Sequence, residues 1–508
     1  MDLIRWTASF RDVCPPVILP RMRSSDLQRL TRSIPCLIVL FLGSVVSTPL
    51  ADPSDGGSPH NNFATEVLAE LIPIRTTVDH SEETVRALKA MATRLTDAGF
   101  APTDIVVVQP ESDCAALVAR YRGNGESGNG PLLLMAHIDV VPADPANWEF
   151  DPFSFSERSG YYHGRGSSDN KAGVATLIAN FVRLRREGFT PDRDLIVVLT
   201  GDEEVGGDAI SYLMRERRDL IDAELALNAD AGGGEYGPDG KPHVFYVQTS
   251  EKVYQSYRLT ATSPGGHSAL PTPDNAIYSL AAALARLADH RFPFRLNEDT
   301  RLYLQRTAAF ADERKAADMI AVTEHEIDLE AAGRLASSSL HLNSQMRTTC
   351  VATQLEGGQA ENALPQSASA VINCRILPGE APDAVKAELR RVIGDETITV
   401  EKLWDDLPSP PTRISAELMR ILEDLVDSMW PDTPVIPRMS AGASDALFVR
   451  NGNIPVLGVA GYFRDPDDDR AHGPNERIGI KEFHEGVEFW YRMLKRLSSS
   501  TESSSAPN

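Results

Sequence analysis

Positive charge is what this chain of 508 residues is shortest of: 50 Lys and Arg stand against 72 Asp and Glu, a formal net charge of -22. A surface of that sign repels polyanions, which argues against nucleic acid and acidic membrane faces as partners. Local carboxylate clusters could instead hold divalent cations. Cysteine is also scarce, with five in the whole chain. Cys14 and Cys36 lie in an N-terminal extension, and Cys114, Cys350 and Cys374 are too few, and odd in number, for a disulfide framework. No apolar run is long enough to be a convincing membrane span. The longest near the start, Ile34–Val46, follows Arg21, Arg23, Arg29 and Arg32, the pattern of a secretory signal, with an uncleaved anchor as the alternative. Its late position suggests Met22 as the true start. Small residues without a clean A-x-A site follow, so a mature chain is expected to begin between Thr48 and Pro53. There is no internal repeat, and the 42% hydrophobic content is ordinary for a soluble globular protein.

What the chain does have is concentrated between Pro131 and Gly173. The apolar run before His137 reads as a buried strand. His137 and Asp139 are two residues apart, so in extended chain they leave the same face at its carboxyl end. Such a pair is either a metal ligand held by an acidic neighbour or a general-base pair. Further on, Asp169 precedes an amphipathic helix carrying Val174, Leu177, Ile178, Phe181 and Val182, a position that suits an N-cap.

The rest of the chain repeats this logic. The segment 52–62 reads as a polar linker after an N-terminal extension or signal (1–51), and a helix begins at Ser81. Strands are expected at 105–108, 116–121, 194–200 and 223–228, the last two ending in Glu203-Glu204 and Asp230. Functional groups at carboxyl ends of strands mark an α/β fold. The texture changes near Glu251. An alternating strand, a helix from Asn275 to about His290, a helical surface-rich stretch at 300–340, two strands, a helix and a strand give a β-α-β-β-α-β order. The α/β pattern resumes near Pro408 and ends in a helix to Leu497. The expected organisation is therefore a catalytic domain in two parts (63–250 and 405–497), a second, ferredoxin-like α+β domain inserted at 251–404, and a Ser-rich tail at 498–508.

Collected by type, the strand-tip groups are His137, Asp139, Asp169, Glu203, Glu204, Asp230 and His472. Two histidines with several carboxylates, spaced too widely for a zinc finger, suit a catalytic zinc pair. Neighbours in extended chain point apart, so one of Glu203 and Glu204 could ligate while the other faces the attacking water. The blocks His137-Ile-Asp139-Val-Val-Pro, Gly164-Arg-Gly-Ser-Ser-Asp169-Asn-Lys, Glu203-Glu204-Val-Gly, Asp230, Gly266-His267-Ser, Asn362-Ala-Leu-Pro, Arg375, Gly442-Ala-Ser-Asp and His472-Gly resemble the co-catalytic zinc peptidases. That family includes aminoacylase, glutamate carboxypeptidase, carboxypeptidase S and succinyl-diaminopimelate desuccinylase. The resemblance runs from about residue 65 to 497 in the family's order.

It implies an α/β catalytic domain with a mostly parallel sheet flanked by helices, and an inserted lid that usually dimerises. On it, His137 and Asp230 would hold one zinc, Glu204 and His472 the other, and Asp169 would bridge them. Asp139 would orient His137, Glu203 would be the general base, and His267 would stabilise the oxyanion, often from the partner subunit. Asn362 and Arg375 would hold the substrate. Two positions depart from the pattern: Asn170 stands where Asp is frequent, and Asn373 precedes Arg375 where Asp is frequent. The implied activity is hydrolysis of an amide beside a free carboxylate, in small peptides or N-acyl amino acids, by an exported enzyme. Rival readings are a catalytically inactive binding protein on the same scaffold and an extracellular cation store.

Overall fold

The computed structural model describes residues 58–111, 114–405 and 407–499. The expected signal segment lies outside them. Its main sheet has ten strands. From one edge the order is Ile105–Glu111, Cys114–Tyr121, Leu195–Thr200, Leu132–His137, Leu225–Asn228, Val456–Gly458, Pro242–Glu251, Gly233–Tyr236 and Phe463–Arg464, with Val435–Ser440 also paired to Pro242–Glu251. The centre is parallel: Leu132–His137 runs with Leu195–Thr200 on one side and Leu225–Asn228 on the other. Both of the first two are buried throughout, as strands covered on two faces must be.

Alternation assigns the two faces. Leu132, Leu134 and Ala136 join a core with helices Pro59–Leu71, Ser81–Asp97, Lys171–Arg186 and Ile480–Leu497. Leu133 and Met135 join the opposite core, beneath Asp208–Glu216 and Ala446–Asn451. The α/β architecture read from the sequence is present. Among the described residues no helix is long and apolar enough to cross a membrane.

The lid sheet is antiparallel, in the order Thr349–Gly357, Ser367–Ile376, Val253–Thr262, Thr399–Lys402. Helices Ala276–Asp289 and Pro382–Ile393 pack on it and share its core. That is the ferredoxin-like β-α-β-β-α-β arrangement.

Four details differ from the sequence reading. The segment 52–62 is not linker throughout, because a helix starts at Pro59 behind the Ser58 cap; its exposed first turn is polar and so reads as loop. Asp169 does not cap the next helix, which begins at Lys171 after Asn170. The helices Glu298–Thr307, Glu313–Thr323, Leu329–Ser338 and Leu340–Met346, expected within the lid, share a core with Val244, Tyr246 and Ile436 of the main sheet. Apolar residues on these short helices signal burial without saying against which sheet. Finally, Cys350 and Cys374, neighbours across adjacent lid strands, form a disulfide, while Cys114 is buried outside it.

Candidate metal centre

The parallel strands converge their tips on one spot. His137 closes the central strand, and its Nε2 lies 3.0 Å from Asp169 Oδ1 and 3.3 Å from Asp230 Oδ1. On the far side of Asp169, His472 Nε2 lies 3.3 Å from Asp169 Oδ2 and 3.0 Å from Glu204 Oε2. Two groups able to hold a metal ion result, His137/Asp169/Asp230 and Asp169/Glu204/His472, and Asp169 belongs to both. A carboxylate offering one oxygen to each side is what a two-metal centre requires of its bridge.

Local structure aims each group. His137 Nδ1 lies 3.1 Å from the Asp139 carbonyl oxygen and 3.5 Å from its carboxylate, which leaves Nε2 as the ligand atom. The Asp139 carboxylate also accepts the Glu204 backbone N–H at 3.0 Å, so one residue steadies a ligand in each group. Glu203 and Glu204 begin a short 3-10 turn after the Leu195–Thr200 strand. Asp445 of the Gly442-Ala-Ser-Asp motif accepts the Thr200 hydroxyl at the end of that strand.

The loop bearing Asp169 is held by residues to which the sequence reading gave no role. Glu476, fully buried, accepts N–H groups from Gly166 (2.9 Å), Ser168 (2.8 Å) and Asp169 (3.0 Å), the Ser168 hydroxyl (3.0 Å) and Arg165 Nη1 (2.6 Å). Arg165 Nη2 in turn donates to the carbonyls of His472 (3.2 Å) and Gly473 (3.1 Å). One ion pair therefore ties the Asp169 loop to the His472 segment. Gly166 sits in this loop at φ +87°, and a Cβ there would stand 2.8 Å from both Lys171 and Val140. Nothing in a single sequence flags a glutamate after Gly-Pro-Asn as a buried anchor.

The electrostatics are those of an acid-rich pocket. Burial alone would lower the His137 pKa, yet Asp230, Asp139 and Asp169 hold it well above its ordinary value. Hydrogen bonds to Asp169 and Glu204 raise His472 to about 10. Burial raises Asp230 despite His137 beside it. Burial likewise pushes Glu203 well up; His137 opposes this, while Asp230, Asp445 and Asp139 add to it. Imidazole nitrogens and carboxylate oxygens turned inward in this excess fit a pair of divalent ions in both donor chemistry and charge.

The lid residues are placed differently. His267 lies on a two-residue ribbon, Gly266–His267 against Ala363–Leu364, and is exposed. Ser268 N–H donates to the Asn362 carbonyl at 3.1 Å, so His267 and Asn362 are neighbours. Among the described residues, no hydrogen bond or ion pair joins this ribbon to the metal cluster. Arg375 lies over the Tyr254 ring at 4.3 Å, with Nη1 3.5 Å from the Ala441 carbonyl oxygen and no acid paired to it among the described residues. Asn373 donates to the Ser256 hydroxyl at 3.0 Å, an interaction within the lid sheet.

Residues 133–496 match the peptidase family M20/M25/M40. The human N-fatty-acyl-amino acid synthase/hydrolase PM20D1 is 29% identical over 382 residues, 73% of this chain and 75% of that protein. A probable carboxypeptidase S-like 2 of Dictyostelium discoideum is 27% identical over 389 residues, 75% of this chain and 74% of that protein. Among solved structures, the M20 family metallo-carboxypeptidase Sso-CP2 from Sulfolobus solfataricus superposes with a TM-score of 0.64 at 19% identity, over 85% of this chain and 98% of that one, a likeness of fold. With the family match covering both parts of the catalytic domain and the lid between them, the chain belongs to peptidase family M20/M25/M40 and is an enzyme of the amide-hydrolysing, metallopeptidase kind.

Proposed function

We propose that the enzyme hydrolyses the amide bond of N-acyl amino acids or small peptides beside a free carboxylate, using two zinc ions bridged by Asp169 and Glu203 as general base. The observation that carries this reading is the sharing of Asp169 between two ligand groups. His137 and Asp230 would hold one ion, Glu204 and His472 the other. A divalent pair in that place supplies acidified water at neutral pH and polarises the scissile carbonyl.

The remaining work falls to the protein. Glu203, its pKa raised by burial, is suited to take the proton from the attacking water and return it to the leaving nitrogen. Asp139 keeps His137 in the tautomer that presents Nε2. Arg375, a lid guanidinium with no acid paired to it among the described residues, suits the substrate carboxylate, and Asn362, on the His267 ribbon, would add a polar contact there. His267 would supply the oxyanion donor when the lid meets the cleft. The relatives' names, an N-fatty-acyl-amino acid synthase/hydrolase and a carboxypeptidase S-like protein, agree with an amide beside a carboxylate.

A homodimer through the lid is part of the same reading. Among the described residues the lid edge Thr349–Gly357 has no strand on its outer side, and Val351 is 61% and Leu355 68% exposed. Tyr278 and Ile277 on the neighbouring helix are exposed too. An open apolar edge of that length favours strand-to-strand pairing with a second copy. Export accords with the Cys350–Cys374 bridge, since disulfides persist in oxidising compartments. Metal content per chain, together with turnover on a panel of N-acyl amino acids and dipeptides, tests the reading. Two zincs with hydrolysis of one class bear it out, whereas metal-free protein that binds these compounds without cleaving them would mean an inactive scaffold.

A further inference from the structure

A second cavity, of about 780 Å³, opens where the lid meets the helical segment 298–346, and none of the metal-centre residues line it. Its wall is largely apolar, with Leu284, Leu287, Phe292, Phe294, Leu340 and Val351 contributing. Size and lining are those of a small-molecule site. Arg347 breaks the apolar lining. It is 8% exposed, its Nε has no hydrogen-bond partner, and the only partner of its guanidinium among the described residues is the Phe294 ring, 3.6 Å away. Arg291, also in the wall, donates from Nη1 to the carbonyls of Ala288 (2.7 Å) and His290 (2.8 Å). The nearby acid Glu380 is engaged by Arg295 at 3.1 Å and by the Thr348 hydroxyl. Two cations thus face an apolar cavity with no carboxylate paired to them among the described residues.

Burying a guanidinium without a counter-ion is costly, and proteins tolerate it where an anion completes the site. Burial, with Arg291 adding to it, lowers the Arg347 pKa, the electrostatic mark of the same imbalance. A planar carboxylate matches the guanidinium fork, and the apolar wall beside it matches an alkyl chain. We propose that this cavity binds a long-chain monocarboxylate, its carboxylate on Arg347 and its chain along Leu284, Leu287 and Leu340. The site is separate from the metal centre and stands whether or not the proposed reaction is correct.

The test uses the full-length protein and dodecanoate below its micelle concentration. Calorimetry should show binding that weakens at least tenfold for octanoate and for dodecyltrimethylammonium. Binding should also weaken at least tenfold in Arg347→Met. A diazirine-bearing dodecanoate, photolysed on the protein and mapped by peptide mass spectrometry, should label residues 284–296 and 333–352. Equal affinity for the cationic amphiphile overturns the proposal without recourse to any variant. Labelling confined to the metal-site cleft overturns it as well. So does an unlabelled cavity that becomes accessible only on dissociating the dimer, which would make a second copy its occupant.

Discussion

His137 and His267 each end a short strand. His137 closes a strand of six buried residues, is itself 2% exposed, and has partners on both ring nitrogens. His267 sits on a two-residue ribbon in water, its Nδ1 accepting only the Ala269 N–H at 3.1 Å. A metal ligand gains from being fixed before the ion arrives, because ordering it later would subtract from affinity. A group that must meet a substrate after it binds gains from being free to move. The metal half of the proposed site is complete within one chain. The lid half is left for closure, or a second subunit, to complete.

The sharpest way to probe the metal half is Glu203→Gln, which keeps shape but cannot accept a proton. Turnover should fall roughly a hundredfold to ten-thousandfold with zinc content retained; near-normal turnover would remove Glu203 from the mechanism. Asp169→Ala should act on the metals themselves, lowering zinc stoichiometry and activity together. Two tightly held zincs in that variant would assign the bridge to another residue.

The lid half is tested by mixing. Homodimers of His267→Ala and of Asp139→Ala should each be nearly inactive, whereas mixed dimers should recover activity because one site draws both intact residues from different chains. Mixtures that stay inactive after proven subunit exchange would return His267 to its own subunit's site or remove it from catalysis.

Smaller effects separate anchoring from chemistry. Glu476→Gln keeps the loop's volume but weakens its hold on Asp169 and, through Arg165, on His472. Zinc affinity should drop by about ten- to a hundredfold, as for other residues that orient ligands, and excess zinc should restore turnover. Unchanged affinity would show that the loop holds itself. The smallest effect is pH dependence. Hydrogen bonds to Asp169 and Glu204 raise the His472 pKa to about 10, and Asp230, Asp139 and Asp169 raise that of His137, so both favour the protonated form. Ligation needs neutral imidazole, so affinity should rise by about tenfold per pH unit for each proton displaced. The raised His472 pKa also stabilises the fold below the unfolded value of 6.5, a contribution lost as pH climbs through about 10. Calorimetric titration at three pH values in buffers of different ionisation enthalpy checks the first, and a flat profile would contradict it.

Periodicity and strand-tip chemistry made much of this legible from sequence. The tips at His137, Glu204 and Asp230 follow from apolar runs that end in acids or histidine, and the lid order follows from alternation. What escaped depends on partners distant in sequence. From its local pattern Asp169 reads as a cap because it precedes a helix; the family resemblance alone marks it as a bridge, and only the fold sets it between His137 and His472. Pro242–Glu251 and Val435–Ser440 pair with each other across the whole lid, a partnership between segments so distant in sequence that no local pattern marks it. Glu476 and Arg165 each look like loop polars until the fold buries them face to face.

That buried ion pair also sets a timetable. Four of the ligands precede the lid in the chain, while His472 and Glu476 follow it near the end. A chain still emerging from the ribosome can fold its central strands and hold His137, but lacks Glu476, which accepts N–H groups of the Asp169 loop, and lacks the second histidine. On the proposed ligand set, the shared metal pair would therefore wait for the last stretch of synthesis, and the hydrolase would stay silent while it is being made.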